Sequence, residues 1–333
     1  MRICVIGAGG WGTALAVVLA KCGHRVVLWG HDPANVEEIK KDKENKKYLP
    51  GVQLPDGVGV TADMEESVDG AEFVFLVVPV QYMRGVLEGF KAYHRDAPVV
   101  CCSKGLERET LLFPSGVIKE ILGGVEVSVL SGPSHAEEVG RGVPTAVVVG
   151  GEGDLSRRVQ ELFAESVTLR VYRSEDVVGV ELCAALKNVV ALAAGMCDGL
   201  GFGDNTKSAL LARGLVEMAR LGVKMGARLP TFFGLAGVGD LMTTSFSRYG
   251  RNRRVGEEIG RGRKLEDVLS GMHQVAEGVW TVVGAVELAR RFGVEMPITQ
   301  KVYEVLYGGK RPSDAVLELM RRPLKAEWEG LLG

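Results

Sequence analysis

Charge of one sign is what this chain lacks first. Its 333 residues carry 40 lysines and arginines against 42 aspartates and glutamates, a formal net charge of -2. A nucleic-acid partner calls for a basic excess or stripe, so none is expected. Cysteine is scarce and unpatterned: Cys4, Cys22, Cys101, Cys102, Cys183 and Cys197 form no C-x-x-C pair and sit mostly in apolar segments. That usage fits buried thiols in a reducing cytoplasm better than a disulfide framework or a zinc site. The five histidines are scattered without H-x-x-x-H spacing, and no metal site is expected. Wholly apolar runs such as Val189 to Ala194 fall far short of the roughly 18 residues that a membrane span needs, so no membrane insertion is expected. Strand and glycine turn fill the first residues, which is expected to leave no room for a cleaved signal peptide. No internal repeat and no low-complexity tract is found, which argues against a solenoid.

What is present begins at once. The apolar run Ile3-Cys4-Val5-Ile6 leads into Gly7-Ala8-Gly9-Gly10-Trp11-Gly12, and a helix-forming run, Thr13 to Lys21, follows. This is G-x-G-x-x-G between a strand and a helix. Gly7 permits the tight turn, Gly9 lets the backbone approach a pyrophosphate, and Gly12 lets the helix pack closely on the sheet. The first amides of the helix and its positive dipole end then bind phosphate. A mere strand-to-helix turn would explain one glycine but not three at these spacings. Dinucleotide binding follows.

The length suggests about two domains. Up to residue 174 the chain alternates short apolar runs with helical segments. Strands are predicted at Ile3–Ile6, Val26–Trp29, Phe73–Val78, Val99–Cys102, Val127–Leu130, Thr145–Val149 and Leu169–Tyr172. Their continuous apolarity fits strands covered on both faces of a mostly parallel, doubly wound sheet. From Glu175 to the end, residues 175–333, the periodicity is helical. Helices are predicted over Glu175–Cys197, Ser208–Met225, Arg253–Arg261, Leu265–Ser270, Thr281–Phe292, Ile298–Tyr307 and Pro312–Arg321. The reading is an α/β dinucleotide-binding domain, 1–174, followed by an all-α domain that carries substrate binding and catalysis.

In open α/β sheets the chemistry lies beyond the carboxyl ends of the strands. Three such ends carry polar loops: Pro79-Val80-Gln81, Ser103-Lys104-Gly105 and Ser131-Gly132-Pro133-Ser134-His135-Ala136. Lys104 brings positive charge to that edge. In the helical half, stepping at helical spacing from Val180 gives Cys183, Ala184, Lys187, Val190, Ala191 and Ala194. Lys187 is the one polar member of that stripe. A lysine in such a place must snorkel, find an acid or lose its proton, and desolvation favours its neutral, basic form. Asn188 beside it adds an amide that can bond substrate or backbone. The acid is sought at Gly237-Val238-Gly239-Asp240-Leu241, where an unpaired Asp240 would be costly, although a helix-capping role for Asp240 is equally open. Arg248-Tyr249-Gly250-Arg251-Asn252-Arg253-Arg254 is either a solvated face or a phosphate clamp, since arginine forks grip phosphate bidentately.

Taken in order, GAGGWGTALA (7–16), KYLPG (47–51), SKG (103–105), LSGPSHAEEV (130–139), GVELCAALKNVVALAAG (179–195), LAGVGDL (235–241), GRNRRVG (250–256) and VAEGV (275–279) span almost the whole chain. This ordered set resembles the bacterial-type NAD(P)-dependent glycerol-3-phosphate dehydrogenases. The resemblance implies a Rossmann domain followed by an all-α domain of the 6-phosphogluconate dehydrogenase type. It implies NAD or NADP as cofactor, a small-molecule substrate and a cytoplasmic homodimer. The activity implied is reversible reduction of dihydroxyacetone phosphate to sn-glycerol 3-phosphate for glycerophospholipid synthesis. The alternatives are a related dehydrogenase acting on 6-phosphogluconate or a hydroxyacyl thioester, and a non-catalytic NAD(H) sensor.

By the same resemblance, Gly10, Trp11, His31, Tyr48 and Ala136 are cofactor contacts, and Lys104 is shared by cofactor and substrate. Gly132 and Ser134 are substrate contacts. Lys187 is the proton donor and acceptor, with Asp240 its partner in the substrate site. Gly250, Arg251 and Asn252 form the substrate-phosphate clamp, Arg251 also reaching the cofactor. Val275 and Glu277 contact the cofactor from the helical half. Three departures stand out. Gly250 replaces a frequent serine, leaving only a backbone contact. His135 occupies a position that is often phenylalanine-like, so it is not read as catalytic. Gly30-His31-Asp32 replaces a frequent arginine after the second strand and leaves coenzyme choice open. An acid there favours the ribose hydroxyls of NAD and a base favours the 2′-phosphate of NADP.

Overall fold

The computed structural model describes residues 1–272 and 276–331. The chain divides into two compact units: Met1–Glu107 with Leu112–Val177, and Arg108–Leu111 with Val178–Gly333. The short Arg108–Leu111 excursion thus belongs with the second unit, where the Arg108 guanidinium lies 3.4 Å from the centre of the Trp280 ring.

The first unit is built on an eight-stranded sheet in the order β3-β2-β1-β4-β5-β6-β7-β8. The strands are β1 (Arg2–Ile6), β2 (Arg25–Trp29), β3 (Val58–Thr61), β4 (Phe73–Leu76), β5 (Val99–Cys101), β6 (Val127–Ser131), β7 (Thr145–Gly151) and β8 (Leu169–Ser174). Every neighbouring pair is parallel except β6 with β7. From β1 the order runs outward to β3, and the chain then crosses to β4 on the other side of β1. That reversal makes the carboxyl ends of β1 and β4 the place where open sheets of this kind bind ligands. β1, β4 and β5 are buried at nearly every position, as strands covered on both faces must be. The edge strand β3 was not anticipated. Gly59 interrupts Val58, Val60 and Thr61, so the β-branched signal is weak. The helix Gly10–Lys21 buries Gly12 through Leu19 against this core.

The second unit is helical, and no strand occurs among its described residues. Helices expected from Ser208, Arg253 and Thr281 begin earlier, as Asp204–Lys224, Arg251–Gly260 and Glu277–Phe292. Leu229–Phe232, the π-helical turn Leu235–Gly239 and the helix Asp240–Phe246 do not emerge from the sequence pattern, because each spans at most two turns, too few for a helical period to repeat. The helix Val177–Gly199 is long and apolar enough to cross a membrane, but its most apolar window is 89% buried inside the protein. It is a core helix. Burial runs unbroken from Gly179 to Cys197, so it extends beyond the apolar stripe predicted around Lys187 to the whole circumference, Glu181 and Asn188 included. The six cysteines are free thiols, and all but Cys22 are buried.

Helix Arg251–Gly260 crosses this core helix backbone to backbone. A methyl group on Gly195 would stand 1.9 Å from the Arg253 carbonyl oxygen, and one on Gly199 2.1 Å from that of Glu257. From the other side, Gly256 would meet the Leu192 carbonyl oxygen at 2.0 Å and Gly260 that of Met196 at 2.5 Å. Both helices thus carry glycines four residues apart, and only glycine allows this approach.

Alanine is the better helix former by about 0.8–1.0 kcal/mol, so at an exposed helical site Gly→Ala raises stability. At Gly256 the opposite is expected. Gly256→Ala should lose about 1–3 kcal/mol through overpacking, seen as a lower urea midpoint at unchanged slope. A stabilised variant would contradict the seam.

Candidate active site

The first unit supplies a phosphate cradle. Gly7 sits at φ 121°, and a methyl there would lie 2.4 Å from the Val77 carbonyl oxygen. A methyl on Gly12 would lie 1.9 Å from the Gly7 carbonyl oxygen. These two glycines are demanded by the protein itself. Gly9 is different: a methyl there meets no protein atom within 4 Å. The space before its backbone suits a ligand that must come close, and the loop fits the pyrophosphate of a dinucleotide. A methyl on Gly10 would stand 2.8 Å from the Tyr48 carbonyl oxygen and 3.4 Å from Cβ of Ala136, which brings Gly10, Tyr48 and Ala136 together. Trp11 is half-buried against the same core.

On the same sheet edge, Lys104 Nζ donates to the Gly132 carbonyl at 3.2 Å, and Ser134 Oγ donates to that carbonyl at 2.9 Å. Beyond β2, His31 is exposed while Asp32 is engaged. The Asp32 carboxylate accepts from the amides of Ala34 (3.1 Å) and Asn35 (3.4 Å), capping helix Pro33–Asp42, and pairs with Lys47 at 3.1 Å. The bond from Lys47 and the capping amides hold its carboxyl below the usual range. The sequence set His31 against Asp32. The fold adds Lys47, which draws that acid toward itself.

In the second unit, Lys187 Nζ donates to Asp240 Oδ1 at 2.6 Å and to Thr244 Oγ1 at 2.7 Å. Lys187 is 5% exposed and Asp240 2%. Thr244 lies one turn beyond Asp240 on helix Asp240–Phe246 and also bonds its carboxylate, at 3.3 Å. A buried ammonium, a carboxylate and a hydroxyl thus form one hydrogen-bonded cluster, chemistry suited to proton transfer. Asp240 stands at the start of its helix, but the capping position is Gly239. Thr244 was missed by the sequence reading, although its spacing of four residues from Asp240 was a usable signal.

The clamp residues form the start of helix Arg251–Gly260, with Gly250 as its cap. A methyl on Gly250 would stand 2.4 Å from the Thr244 carbonyl oxygen, so no larger residue fits this backbone. Arg251 is exposed. Asn252 is buried, and its amide bonds within the protein: Oδ1 accepts from the Gly278 amide and Nδ2 donates to Asn188 Oδ1, both at 2.9 Å. Asn188 in turn donates to the Ala184 carbonyl at 3.3 Å. Arg253 is no part of a phosphate grip, for it pairs with Asp198 (2.8 Å) and Glu257 (2.9 Å). Arg248 stacks on Tyr249. Glu277 opens helix Glu277–Phe292, and Val275 lies outside the described residues.

A glycine cradle at the switch point of a Rossmann sheet, with a helical unit holding a buried ammonium–carboxylate pair, defines a two-domain nicotinamide-nucleotide dehydrogenase. The comparisons with known proteins sharpen this. Residues 2–154 match the family described as NAD-dependent glycerol-3-phosphate dehydrogenase N-terminus, and residues 176–317 match its C-terminus. The glycerol-3-phosphate dehydrogenase [NAD(P)+] of Geobacter sp. (strain M21) is 50% identical over 331 residues, 98% of each chain. That of Carboxydothermus hydrogenoformans is 46% identical over 331 residues, again 98% of each chain. The crystal structure of glycerol-3-phosphate dehydrogenase from Coxiella burnetii is 36% identical and superposes with a TM-score of 0.91, covering 96% of this chain and 99% of that one. The chain belongs to the glycerol-3-phosphate dehydrogenase family. It is an oxidoreductase that uses NAD or NADP.

Removing one partner of a buried ion pair leaves the other charge uncompensated. Asp240→Ala is therefore expected to lose about 3–5 kcal/mol of unfolding free energy. Chemical denaturation measures it. A loss within ~0.5 kcal/mol would show that Lys187 does not depend on Asp240.

Proposed function

We propose that this chain reduces dihydroxyacetone phosphate to sn-glycerol 3-phosphate with NADH or NADPH, supplying glycerophospholipid synthesis. The observation that carries the chemistry is the Lys187–Asp240–Thr244 cluster, an ammonium held without freedom in a buried place. The nicotinamide, when bound, supplies the hydride for C2 of the substrate. Lys187 gives its proton to the oxygen that becomes an alkoxide as the hydride arrives. Asp240 and Thr244 aim the Lys187 amine, and in the oxidative direction the same amine takes the proton back. Gly250, Arg251 and Asn252 hold the substrate phosphate: Arg251 by a charged fork, Gly250 by its backbone, Asn252 chiefly by fixing the helix start. Anchoring a remote phosphate in this way positions the carbonyl. Lys104, Gly132 and Ser134 take up the substrate from the dinucleotide side, where Gly7, Gly9, Gly10, Trp11 and Gly12 form the cradle. His31, Tyr48, Ala136, Val275 and Glu277 complete the cofactor contacts.

Six free cysteines suit a reducing cytoplasm. The exposed Met242 and Phe246, one turn apart on their helix, suit a homodimer, which sedimentation would test. The reaction itself is tested by oxidation of NADH and NADPH that depends on dihydroxyacetone phosphate. Absence of turnover with both coenzymes would leave the related hydroxy-acid dehydrogenase and the sensor as the readings.

Two variants sharpen the assignment. Arg251→Ala removes charged hydrogen bonds worth about 1.5–3 kcal/mol, so KM for dihydroxyacetone phosphate should rise at least about tenfold. Phosphite added to unphosphorylated dihydroxyacetone should then recover part of the rate. Unchanged KM would place the clamp elsewhere. Asp32→Ala removes an acid near the adenosine ribose and frees Lys47, so the NADPH-to-NADH ratio of kcat/KM should rise several-fold, by about 1 kcal/mol of added attraction. The lost helix cap costs about 1 kcal/mol of stability in parallel, seen in Tm. A ratio that stays still or falls would mean that neither Asp32 nor Lys47 faces the ribose.

A further inference from the structure

Asn45 has no role in any of the above, yet it is buried to 0% exposure directly behind the glycine loop. Its Nδ2 donates twice, to the Ala8 carbonyl at 2.9 Å and to Thr13 Oγ1 at 2.8 Å. Thr13, also 0% exposed, donates its hydroxyl hydrogen to the Gly9 carbonyl at 2.8 Å, which its own amide already holds at 2.9 Å as the first bond of the helix. The remaining Asn45 oxygen accepts from the Tyr48 amide at 3.3 Å. One side chain thus holds the Ala8 carbonyl directly and, with its own amide fixed by the Thr13 hydroxyl, ties it to the helix start and to the Tyr48 turn.

The consequence follows from the planarity of the peptide. No cis peptide occurs among the described residues, and in a trans peptide the C=O of one residue and the N–H of the next point in opposite directions. With the Ala8 oxygen drawn toward Asn45, the Gly9 N–H must point away from it. With the Gly9 oxygen held in the first helical bond, the Gly10 N–H points back out of the helix start. Gly9 is extended and Gly10 opens the helix, so both amides stand at a helix N-terminus, where phosphate binds, and a methyl on Gly9 would meet no protein atom within 4 Å.

We propose that Asn45, held in place by the Thr13 hydroxyl and acting through the Ala8 carbonyl, is the positioning residue that presents the Gly9 amide, beside the helix-set Gly10 amide, to the dinucleotide pyrophosphate. Without its two donors the Ala8 carbonyl is free to turn outward, which would set an oxygen lone pair against the phosphate. The side chain touches no ligand. This deepens, and rests on, the reading of the glycine loop as the pyrophosphate site.

The test uses the full chain, with NADH affinity read by fluorescence and ADP affinity by displacement of NADH. Asn45→Ala should weaken both NADH and ADP by about tenfold or more. At saturating NADH, kcat and KM for dihydroxyacetone phosphate should stay within about twofold of the wild type, a split that general loss of packing would not give. Asn45→Asp keeps the shape but donates nothing, and should fail in the same way. Thr13→Val, which removes the hydroxyl that fixes the Asn45 amide without altering size, should also weaken ADP, whereas Thr13→Ser should retain affinity. Thr13→Val also decides the matter if Asn45→Ala does not fold. NADH and ADP affinities unchanged in Asn45→Ala or in Thr13→Val would overturn the proposal, as would a loss confined to NADH. Failure of ADP to compete with NADH on the wild type is a separate outcome, and it would overturn the reading of the loop itself.

Discussion

A lysine that is 5% exposed must have a counter-charge, and this one obligation organises the helical unit. Desolvating an ammonium costs several kcal/mol even after relaxation, and only close, hydrogen-bonded partners offset it. Asp240 and Thr244 do so from a single turn of helix, which fixes where that helix can lie against the core helix. The π-helical turn Leu235–Gly239 delivers Asp240 to its place, and Gly250 turns the chain into the next helix. The pair thus costs stability to assemble and in return fixes an acid at one position.

The second constraint is distance between backbones. Gly195 and Gly199 on one helix meet Gly256 and Gly260 on the other, so the start of Arg251–Gly260 is registered against the helix of Lys187 by carbonyl contacts rather than by flexible side chains. Asn252 extends this registration. Its amide joins Asn188 to the Gly278 backbone, and each of these three residues adjoins a residue proposed for the site: Lys187, Arg251 and Glu277. Asn252 was expected to contact substrate, and the fold gives its amide a second task inside the protein. Asp198, near the end of the same core helix, holds both Arg253 and Lys207 and so adds an ion pair to that seam.

The sequence made legible what local pattern encodes. Three glycines between a strand and a helix announced the cradle, and continuous apolar runs announced buried parallel strands. Lys187 was visible because it broke an apolar periodicity, although total burial of its helix was stronger than a stripe implies. Other features depend on partners far along the chain. Asn45 reads as an ordinary loop residue until folding brings Ala8 and Thr13 to it. Whether Asp240 capped a helix or paired with a lysine was undecidable from its neighbours, because the answer lies 53 positions away. Of four arginines in one charge run, nothing local separated Arg253, committed to Asp198 and Glu257, from Arg251. The β3 strand escaped because Gly59 dilutes its alternation, and the short helices near Asp240 because one or two turns give a period nothing to repeat on.

If the buried Lys187 amine moves the proton of the reaction, as proposed, its removal must slow the chemical step itself. Single-turnover reduction of dihydroxyacetone phosphate by Lys187→Ala, preloaded with saturating NADH, isolates that step. Hydride transfer is expected to slow by about 10²–10⁴-fold, with NADH affinity unchanged. A rate within about threefold of the wild type would contradict it, and would show that the proton comes from another group or from water.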